Sequence, residues 1–462
     1  MSGPHNFSQA KGGVFVYIAA GISALGGMLF GYDTGVISSA ILFIKKQFGL
    51  QARLEEITVS AVLIGAVIGA AIGGRLADRL GRRKSIIIAA IIFALGSLAT
   101  AFAPNIFFLI LGRIVVGVAI GVASFTAPMY ISEVSPVKVR GELVSLNQLA
   151  VTVGIVISYL IGYILAKSGN WRAMLALAAI PSAGLGIGMF FMPQSPRWLI
   201  SRSKINEARV VLEKIRATKD VDKEIKDVQE SIGQQAGTWK ELLGPLIRPA
   251  LIVGVGLAVL QQVTGINTVI YYAPTIFEFA GFKSASSAIL ATLGLGVVNV
   301  VMTVVSMQLV DRLGRRPLLL IGLVGMAASL GMLGFVFYLP NLSGALGVVA
   351  AISLMLYVGF FAIGMGPVFW LLISEIYPLK LRGLAMSVAT MCNWGANLIV
   401  GITFLSLINF IGRPGTFWLY AGLAFLAWLF TWFLVPETKG KSLEEIEAHW
   451  RSGKHPLELE NS

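Results

Sequence analysis

Long uninterrupted apolar runs constrain this chain more than any other feature of its sequence. A helix needs roughly 18 or more consecutive apolar residues to cross the hydrocarbon layer of a membrane, and twelve stretches of the chain approach or exceed that length. They lie near residues 14–36, 57–77, 85–103, 106–126, 143–166, 172–192, 250–275, 285–310, 317–338, 345–372, 384–409 and 415–435. Only 13% of the 462 residues are charged, against about a quarter in a soluble domain. An outer-membrane barrel would alternate apolar and polar residues instead. The sequence therefore predicts an all-α polytopic membrane protein with twelve transmembrane helices.

The placement of the basic residues predicts the orientation of the chain. Twelve spans put both termini on one side, and that side carries 28 of the 36 Lys and Arg residues, against 7 on the other. An excess of Lys and Arg marks the cytoplasmic face. We therefore expect a multi-pass protein of the cytoplasmic membrane with both termini in the cytoplasm. Because the net charge of +13 is explained by topology, nucleic acid is not expected as a partner.

Three motifs recur in the same order in the two halves of the chain. Asp-Arg-Leu-Gly-Arg-Arg follows the second span and again the eighth, at an offset of 233 residues. Glu133 precedes Arg140 by seven residues, as Glu375 precedes Arg382. The charged residues of the Asp-Arg-Leu-Gly-Arg-Arg motif are Asp78, Arg79, Arg82 and Arg83 in the first half and Asp311, Arg312, Arg315 and Arg316 in the second. A third motif, Pro-x-Ser/Thr, closes each half at an offset of 243 residues.

This repetition predicts two pseudo-symmetric six-helix bundles. We expect an N-terminal bundle over 1–192, a cytoplasmic helical linker over 193–249, a C-terminal bundle over 250–435 and a cytoplasmic tail over 436–462. Internal repeats suit alternating access, in which two bundles rock about a site near the midplane of the membrane. The basic motifs and their acids are interpreted as charge clusters that close the cytoplasmic side of the outward-open state. The simpler alternative is that they only fix topology.

Together, these motifs resemble those of the sugar porter family of the major facilitator superfamily. The resemblance covers the chain from Gly31 to Gly440 and includes Pro-Gln-Ser-Pro-Arg-Trp-Leu at 193–199 and Pro-Glu-Thr-Lys-Gly at 436–440. It also includes Gln-Gln-Val-Thr-Gly-Ile-Asn at 261–267. Gln194 stands where the family carries glutamate, which puts one cytoplasmic ion pair in doubt. The resemblance implies the major facilitator fold and sugar transport.

Asp33 is the only one of the 23 acidic residues placed well inside an apolar run, and Arg113 is the only basic residue in mid-span. An ionisable group inside the membrane is costly and marks a functional site with a partner. A carboxylate beside arginine stays ionised, whereas a carboxyl group in a dry site without a cation takes up a proton. We therefore predict an Asp33–Arg113 pair that couples protonation to rocking; a static ion pair is the alternative. In the sugar porter family that the chain resembles, proton-coupled members carry an acid at the position of Asp33. Facilitative animal glucose carriers carry an amide there.

Mid-span amides and indoles form the candidate sugar site. Sugar hydroxyls need donors and acceptors, and sugar rings pack on aromatic faces. The candidates are Gln148, Gln261, Gln262, Asn267, Asn299, Trp370, Asn393 and Trp394. The alternative is that these polar groups only bridge helices, but most of them match sugar-contacting positions of the family that the chain resembles. Gly265 and Gly364 are expected to interrupt their helices, and Tyr271 and Tyr272 to gate the outer side or, alternatively, to form an interfacial aromatic belt.

The prediction is proton-coupled uptake of a monosaccharide, glucose being the first guess, by a carrier that functions as a monomer. A proton-independent sugar uniporter and carriers of xylose, galactose, arabinose or inositol are the alternatives. A nutrient receptor on the same fold is disfavoured, because only 27 residues follow Val435. The sequence contains no Walker A loop, nucleophile elbow or metal-ligand motif, so neither an enzyme nor a cofactor or metal is expected. A single cysteine, Cys392, excludes an intramolecular disulfide.

Overall fold

The computed structural model describes residues 13–136, 139–233, 238–245, 247–339, 346–378, 380–441, 443–451 and 456–461, and within them the regular structure is entirely helical. The helices are α1 (Val14–Phe48), α2 (Ala52–Leu80), α3 (Arg82–Ala101), α4 (Ile106–Val134), α5 (Arg140–Ala166), α6 (Trp171–Ala176), α7 (Ala179–Phe191), α8 (Pro196–Ser201), α9 (Ile205–Arg216), α10 (Asp222–Gly233), α11 (Trp239–Leu242), α12 (Arg248–Val263), α13 (Ile266–Phe279), α14 (Ala285–Leu313), α15 (Arg315–Tyr338), α16 (Leu346–Ile363), α17 (Met365–Ile376), α18 (Arg382–Leu434) and α19 (Leu443–Arg451). A 3₁₀ helix covers Pro456–Asn461.

Eleven helical segments of the described chain are long and apolar enough to cross a membrane. The last of them, α18, runs for 53 residues and holds a non-helical residue, Gly412, at φ 75° and ψ 168°. At 1.5 Å per residue, a helix of this length fits a membrane only as two crossings that turn at Gly412. The α6–α7, α12–α13 and α16–α17 pairs each form one broken span. The predicted twelve-helix fold is therefore confirmed.

The helices between the two halves pack under one end of the bundle, which we call the linker face; the opposite end is the distal face. Leu199, Leu212 and Ile225 are buried in a small core shared by α8, α9 and α10. Arg216 donates from Nη1 to the carbonyl of Val134 at 2.8 Å, and Trp450 of the tail donates to the carbonyl of Ile376 at 2.8 Å. Linker and tail helices thus rest against the ends of the spans.

Glycine contacts bring α2 and α4 close together. A Cβ atom added to Gly117 would lie 1.9 Å from the carbonyl oxygen of Val62, and one added to Gly65 would lie 2.0 Å from that of Ile114. Small residues allow such backbone approach, which drives helix association in membranes where apolar burial contributes little. The contact fixes α4, which carries Arg113, against α2.

Glycines also set the orientation of Asp33 on α1. A Cβ atom on Gly31 would lie 1.9 Å from the carbonyl oxygen of Val151, and one on Gly35 would lie 2.0 Å from the hydroxyl of Ser158. Gly31 and Gly35 are four residues apart and share one helix face, which packs on α5. Asp33 lies between them in sequence and so projects from the other side of α1.

The two halves are bonded to each other toward the distal face. Tyr159 of α5 donates its hydroxyl hydrogen to the carbonyl of Ile270 at 3.1 Å, and Lys45 pairs with Glu278 at 3.5 Å. Nearer the linker face, residues 144–150 of α5 are only half-buried. In the described parts of the chain, the hydrogen bonds between the halves lie in the distal part of the bundle, so the structure is closed on that side.

Candidate transport site

Four of the predicted sugar-site amides form one hydrogen-bonded cluster. Gln262 donates from Nε2 to Gln261 Oε1 at 3.2 Å and to Asn393 Oδ1 at 3.1 Å. Asn267 donates to Gln262 Oε1 at 2.6 Å, and Asn393 donates to Gln261 Oε1 at 2.8 Å. All but the partly buried Asn267 are at most 5% exposed. The cluster concentrates donors and acceptors between α12, α13 and α18, as recognition of a hydroxyl-rich solute requires.

Breaks in two helices shape this cluster, as predicted from Gly265 and Gly364. Gly265 has φ 90° and separates α12 from α13, so that Asn267 points back to the amides of α12. A side chain at Gly265 would also meet the ring of Tyr420 at 2.9 Å. Gly364 ends α16, and the carbonyl of the next residue, Met365, accepts a hydrogen bond from Gln261 at 2.7 Å. Both predicted interruptions are confirmed.

The other predicted sugar residues lie apart from the cluster. Trp394 is 5% exposed and packs edge-on against Phe30 of the first half, with ring centroids 5.3 Å apart. Gln148 is half-buried on α5, Trp370 is half-buried on α17 and Asn299 is buried on α14. Within the described chain, the structure shows no hydrogen bond from these four side chains to the amide cluster.

The two predicted gating tyrosines are buried in the closed distal part of the bundle. Tyr271 accepts a hydrogen bond from Asn397 Nδ2 at 3.3 Å. Tyr272 is fully buried and packs against Phe404 in a tilted arrangement, with ring centroids 4.9 Å apart. Their burial differs from the position expected of an interfacial aromatic belt, which lies at the surface facing lipid headgroups.

Asp33 and Arg113 form a buried ion pair. Arg113 Nη2 lies 3.5 Å from Asp33 Oδ2, and the side chains are 1% and 8% exposed for Arg113 and Asp33 respectively. The same Nη2 donates to the carbonyl of Val59 at 3.1 Å, while Nε has no hydrogen-bond partner. The contact is long for a charge-assisted hydrogen bond, whose usual length is about 2.7–2.9 Å. The pair is thus in contact without being tightly bonded, and Arg113 also holds α2.

The repeated basic motifs form two matching clusters at the linker face, one in each half. Arg82 pairs with Glu133 at 3.1 Å and with Asp78 at 3.2 Å. Ser195 donates its hydroxyl hydrogen to the same glutamate. In the second half Arg315 pairs with Glu375 at 2.9 Å and with Asp311 at 3.3 Å, and Thr438 donates to Glu375 at 2.6 Å.

Three further arginine side chains of these motifs donate to backbone carbonyls. Arg83 and Arg316 donate to carbonyls of Met189 and Trp432 at 3.1 and 2.9 Å. Arg382 donates to the carbonyl of Tyr377 at 3.3 Å, and Arg140 is exposed. The backbone carbonyls of Arg79 and Arg312 accept hydrogen bonds from Arg202 and Lys439. Glu133 therefore pairs with Arg82 and Glu375 pairs with Arg315, so each of these ion pairs lies within one half of the chain.

Gln194, which stands where the family carries glutamate, caps the start of α3. Gln194 Oε1 accepts from the backbone N–H of Arg83 at 3.1 Å, and its Nε2 donates to the carbonyl of Leu80 at 3.1 Å. The matching Glu437 accepts from the backbone N–H groups of Arg315 and Arg316, each at 3.0 Å. An amide therefore satisfies the start of α3 without a charge.

Comparisons with known proteins agree with this geometry. The family profile described as sugar (and other) transporter matches residues 19–450 of the chain. The chain belongs to the sugar porter family of the major facilitator superfamily. This sugar porter is 45% identical over 443 residues to the D-xylose transporter of Levilactobacillus brevis, covering 95% of this chain and 96% of the relative. It is 42% identical over 442 residues to the galactose-proton symporter of Escherichia coli K12, covering 95% of each.

The fold of the sugar porter also matches a solved relative. The proton:xylose symporter XylE of E. coli, solved with 6-bromo-6-deoxy-D-glucose bound, aligns with a TM-score of 0.81 at 35% identity. The alignment covers 95% of this chain and 99% of the other. The sequence-based recognition of family and fold is therefore confirmed.

Two buried polar residues of the sugar porter were missed by the sequence analysis. Glu56 is fully buried and bonds Ser406 of the other half. It precedes the apolar run that begins near residue 57 in the sequence, whereas α2 already begins at Ala52. Asn397 is 2% exposed and lies one helical turn beyond Asn393. That four-residue spacing was the available signal, because it places both amides on one face.

Proposed function

We propose that this sugar porter imports a monosaccharide together with a proton by alternating access. The observation that carries the proposal is the buried, loosely bonded Asp33–Arg113 pair. Beside Arg113, the Asp33 carboxylate is stabilised in its charged form; when rocking separates the two groups in a dry site, a proton takes the place of the guanidinium charge. One proton moving through 100 mV releases about 2.3 kcal/mol, which drives accumulation of a neutral sugar.

The amide cluster supports a monosaccharide as the substrate. Gln261, Gln262, Asn267 and Asn393 are assigned the sugar hydroxyls, with Gln148 and Asn299 reaching the sugar from α5 and α14. The indoles of Trp370 and Trp394 are assigned its ring faces. Relatives transport D-xylose or galactose, and a glucose derivative binds XylE. We take glucose as the first substrate to test, with xylose, galactose, arabinose and inositol as competitors.

The linker face is assigned to the cytoplasm because of the excess of Lys and Arg there. Segments 1–192 and 250–435 are the rocking units, 193–249 connects them and 436–462 is a tail. Since one chain contains both units, a monomer suffices for transport. Tyr271 and Tyr272 gate the distal side, and the Glu133 and Glu375 clusters brace the cytoplasmic ends.

The test is accumulation of labelled glucose in proteoliposomes with an imposed pH gradient. We expect Asp33→Asn to abolish gradient-driven accumulation yet to leave sugar counterflow measurable, because exchange of sugar for sugar needs no net proton movement. As a matched control, Asp220→Asn alters an exposed acid of the linker and should leave both activities unchanged.

Two results would contradict the proposal. Equal uptake with and without the pH gradient in the unmodified protein would indicate uniport of the sugar. Loss of counterflow and of sugar binding in Asp33→Asn would make Asp33 a structural residue or a sugar ligand.

A further inference from the structure

Among the described residues, the two shortest hydrogen bonds between the halves are made by a glutamate that the transport mechanism above does not use. Glu56 of α2 accepts the backbone N–H of Ser406 of α18 at Oε1, at 2.7 Å. Its other oxygen, Oε2, accepts the hydroxyl hydrogen of Ser406, also at 2.7 Å. The two residues are 350 positions apart in the chain. One side chain of the first half is therefore bonded twice to a single residue of the second.

Glu56 depends on Ser406 for its hydrogen bonds. The carboxyl group is fully buried, and a buried charge is tolerated only when it is paired or hydrogen-bonded. Its nearest cation, Arg53, lies at 3.9 Å with a side chain that is 70% exposed, so solvent screens that pair. Short bonds to a carboxylate are the strong class of hydrogen bond. In the distal-closed state the donors of Ser406 thus compensate the burial of Glu56.

The contact surrounding this link is tight and lies between moving parts. A Cβ atom on Gly401 of α18 would lie 2.8 Å from the hydroxyl of Ser60, one turn along α2 from Glu56. When the halves part at the distal face, α2 and α18 separate there, and water replaces Ser406 around Glu56. We therefore expect the two hydrogen bonds between Glu56 and Ser406 to be present only in the distal-closed state.

We propose that Glu56 and Ser406 form a latch that stabilises the distal-closed state of the transport cycle. The inference rests on the alternating-access part of the proposed function, but it requires neither a particular sugar nor proton coupling. Glu56 acts as a positioning residue between the halves and does not contact the transported sugar. Without the latch, the open-to-closed ratio at the distal face rises.

The distal opening is measured as a distance between two spin labels, in the absence of sugar. Lys46 at the end of α1 and Lys283 between α13 and α14 are exposed on the distal ends of different halves. Lys46→Cys and Lys283→Cys carry the labels, and Cys392→Ser removes the only native cysteine. Pulsed electron paramagnetic resonance in nanodiscs then gives the populations of short and long distances, at a pH where the parent shows both.

Ser406→Ala is the informative change because it removes one donor and leaves a buried carboxylate short of a partner, which destabilises only the closed state. A lost hydrogen bond to a charged group corresponds to about tenfold or more in an equilibrium. We expect the long-to-short ratio to rise by about that factor. In a Glu56→Ala background the same Ser406→Ala change should shift the ratio less than about twofold, since the partner is already absent.

Thr403→Ala is the matched control. Thr403 lies on the same helix, but its hydroxyl bonds only to carbonyls of α18 itself, so the ratio should stay within about twofold of the parent. An unchanged ratio in Ser406→Ala, or an equal shift with and without Glu56, would overturn the latch. Failure of sugar accumulation in proteoliposomes would contradict the proposed function but would leave this measurement unaffected.

Discussion

At the scale of single residues, the four amides of the cluster bond largely to one another. Gln262 illustrates this: its amide bonds three other side chains, those of Gln261, Asn393 and Asn267. An unbonded amide buried in the membrane would be costly, and the amide–amide bonds satisfy these donors and acceptors. In the proposed function, the hydroxyls of a sugar replace these amide–amide bonds. Affinity then depends on how well the hydroxyl pattern reproduces the amide pattern.

Gln262→Ala is expected to weaken sugar binding about tenfold or more. The change removes the central member and leaves buried partners unsatisfied, a loss of about 1–3 kcal/mol. Isothermal titration calorimetry with glucose, or with the best competing sugar, measures the dissociation constant.

Gln47→Ala serves as the control for this prediction. Gln47 accepts from Trp171 Nε1 at 2.8 Å at the distal end of α1, so its loss should leave sugar affinity unchanged. Equal weakening by both variants would mean that Gln262 acts through folding and not through the site.

At the scale of the helices, α2 connects the Asp33–Arg113 pair with the contact between the two halves. Its Val59 carbonyl is held by Arg113 of α4, and Glu56, one turn closer to the distal face, is held by Ser406 of α18. A displacement of this turn of α2 therefore affects the ion pair and the contact between the halves together. The glycine packing against α4 holds α2 and α4 in close contact.

Gly117→Ala is expected to destabilise the protein by about 1–3 kcal/mol, the usual range for overpacking. The new Cβ atom would lie 1.9 Å from the carbonyl oxygen of Val62, so α2 and α4 must separate. Thermal unfolding in detergent, followed by intrinsic fluorescence, should show a lower midpoint.

Gly21→Ala is the matched control, because nothing lies within 4 Å of a Cβ atom at that position. Its unfolding midpoint should equal or exceed that of the parent, since alanine also favours the helix. A midpoint for Gly117→Ala as high as that of Gly21→Ala would show that the α2–α4 approach contributes nothing to stability.

At the scale of the whole molecule, the two halves repeat the same bracing and differ in the chemistry that they contribute. Glu133 and Glu375 each accept from one arginine and one hydroxyl at the linker face. The first half supplies the ion pair, whereas the second supplies the amide cluster. In the proposed function, coupling of proton to sugar therefore passes between halves that contact each other at the distal side.

The orientation of the molecule yields a direct test. With Cys392→Ser as the background, Lys219→Cys in the linker should react with an impermeant maleimide only in inverted vesicles. Lys283→Cys on the distal face should react only in right-side-out vesicles. The physical reason is the bias of Lys and Arg, which retains positive loops in the cytoplasm. The reversed pattern would contradict the orientation.

Some positions of the site follow from local sequence and others do not. Gly265 and Gly364 marked helix breaks because glycine lacks the side chain that restricts the backbone, and the structure has both breaks. Gln261 and Gln262 were identifiable as polar residues in an apolar run. Their bonds to Asn393, more than 130 residues away, were not, because such contacts depend on how α12 and α18 pack.

The sequence alone determined that the chain spans the membrane twelve times in two repeated halves, and it singled out Asp33 and Arg113. It could do so because a polar residue in the hydrocarbon layer is costly unless it has a partner or a function, and this constraint acts on each residue locally. Only the tertiary structure decided which polar groups meet. Glu56 lies just before an apolar run in the sequence, and only packing brings it to Ser406. Contacts between the halves depend on the conformational state and leave no local pattern in the sequence.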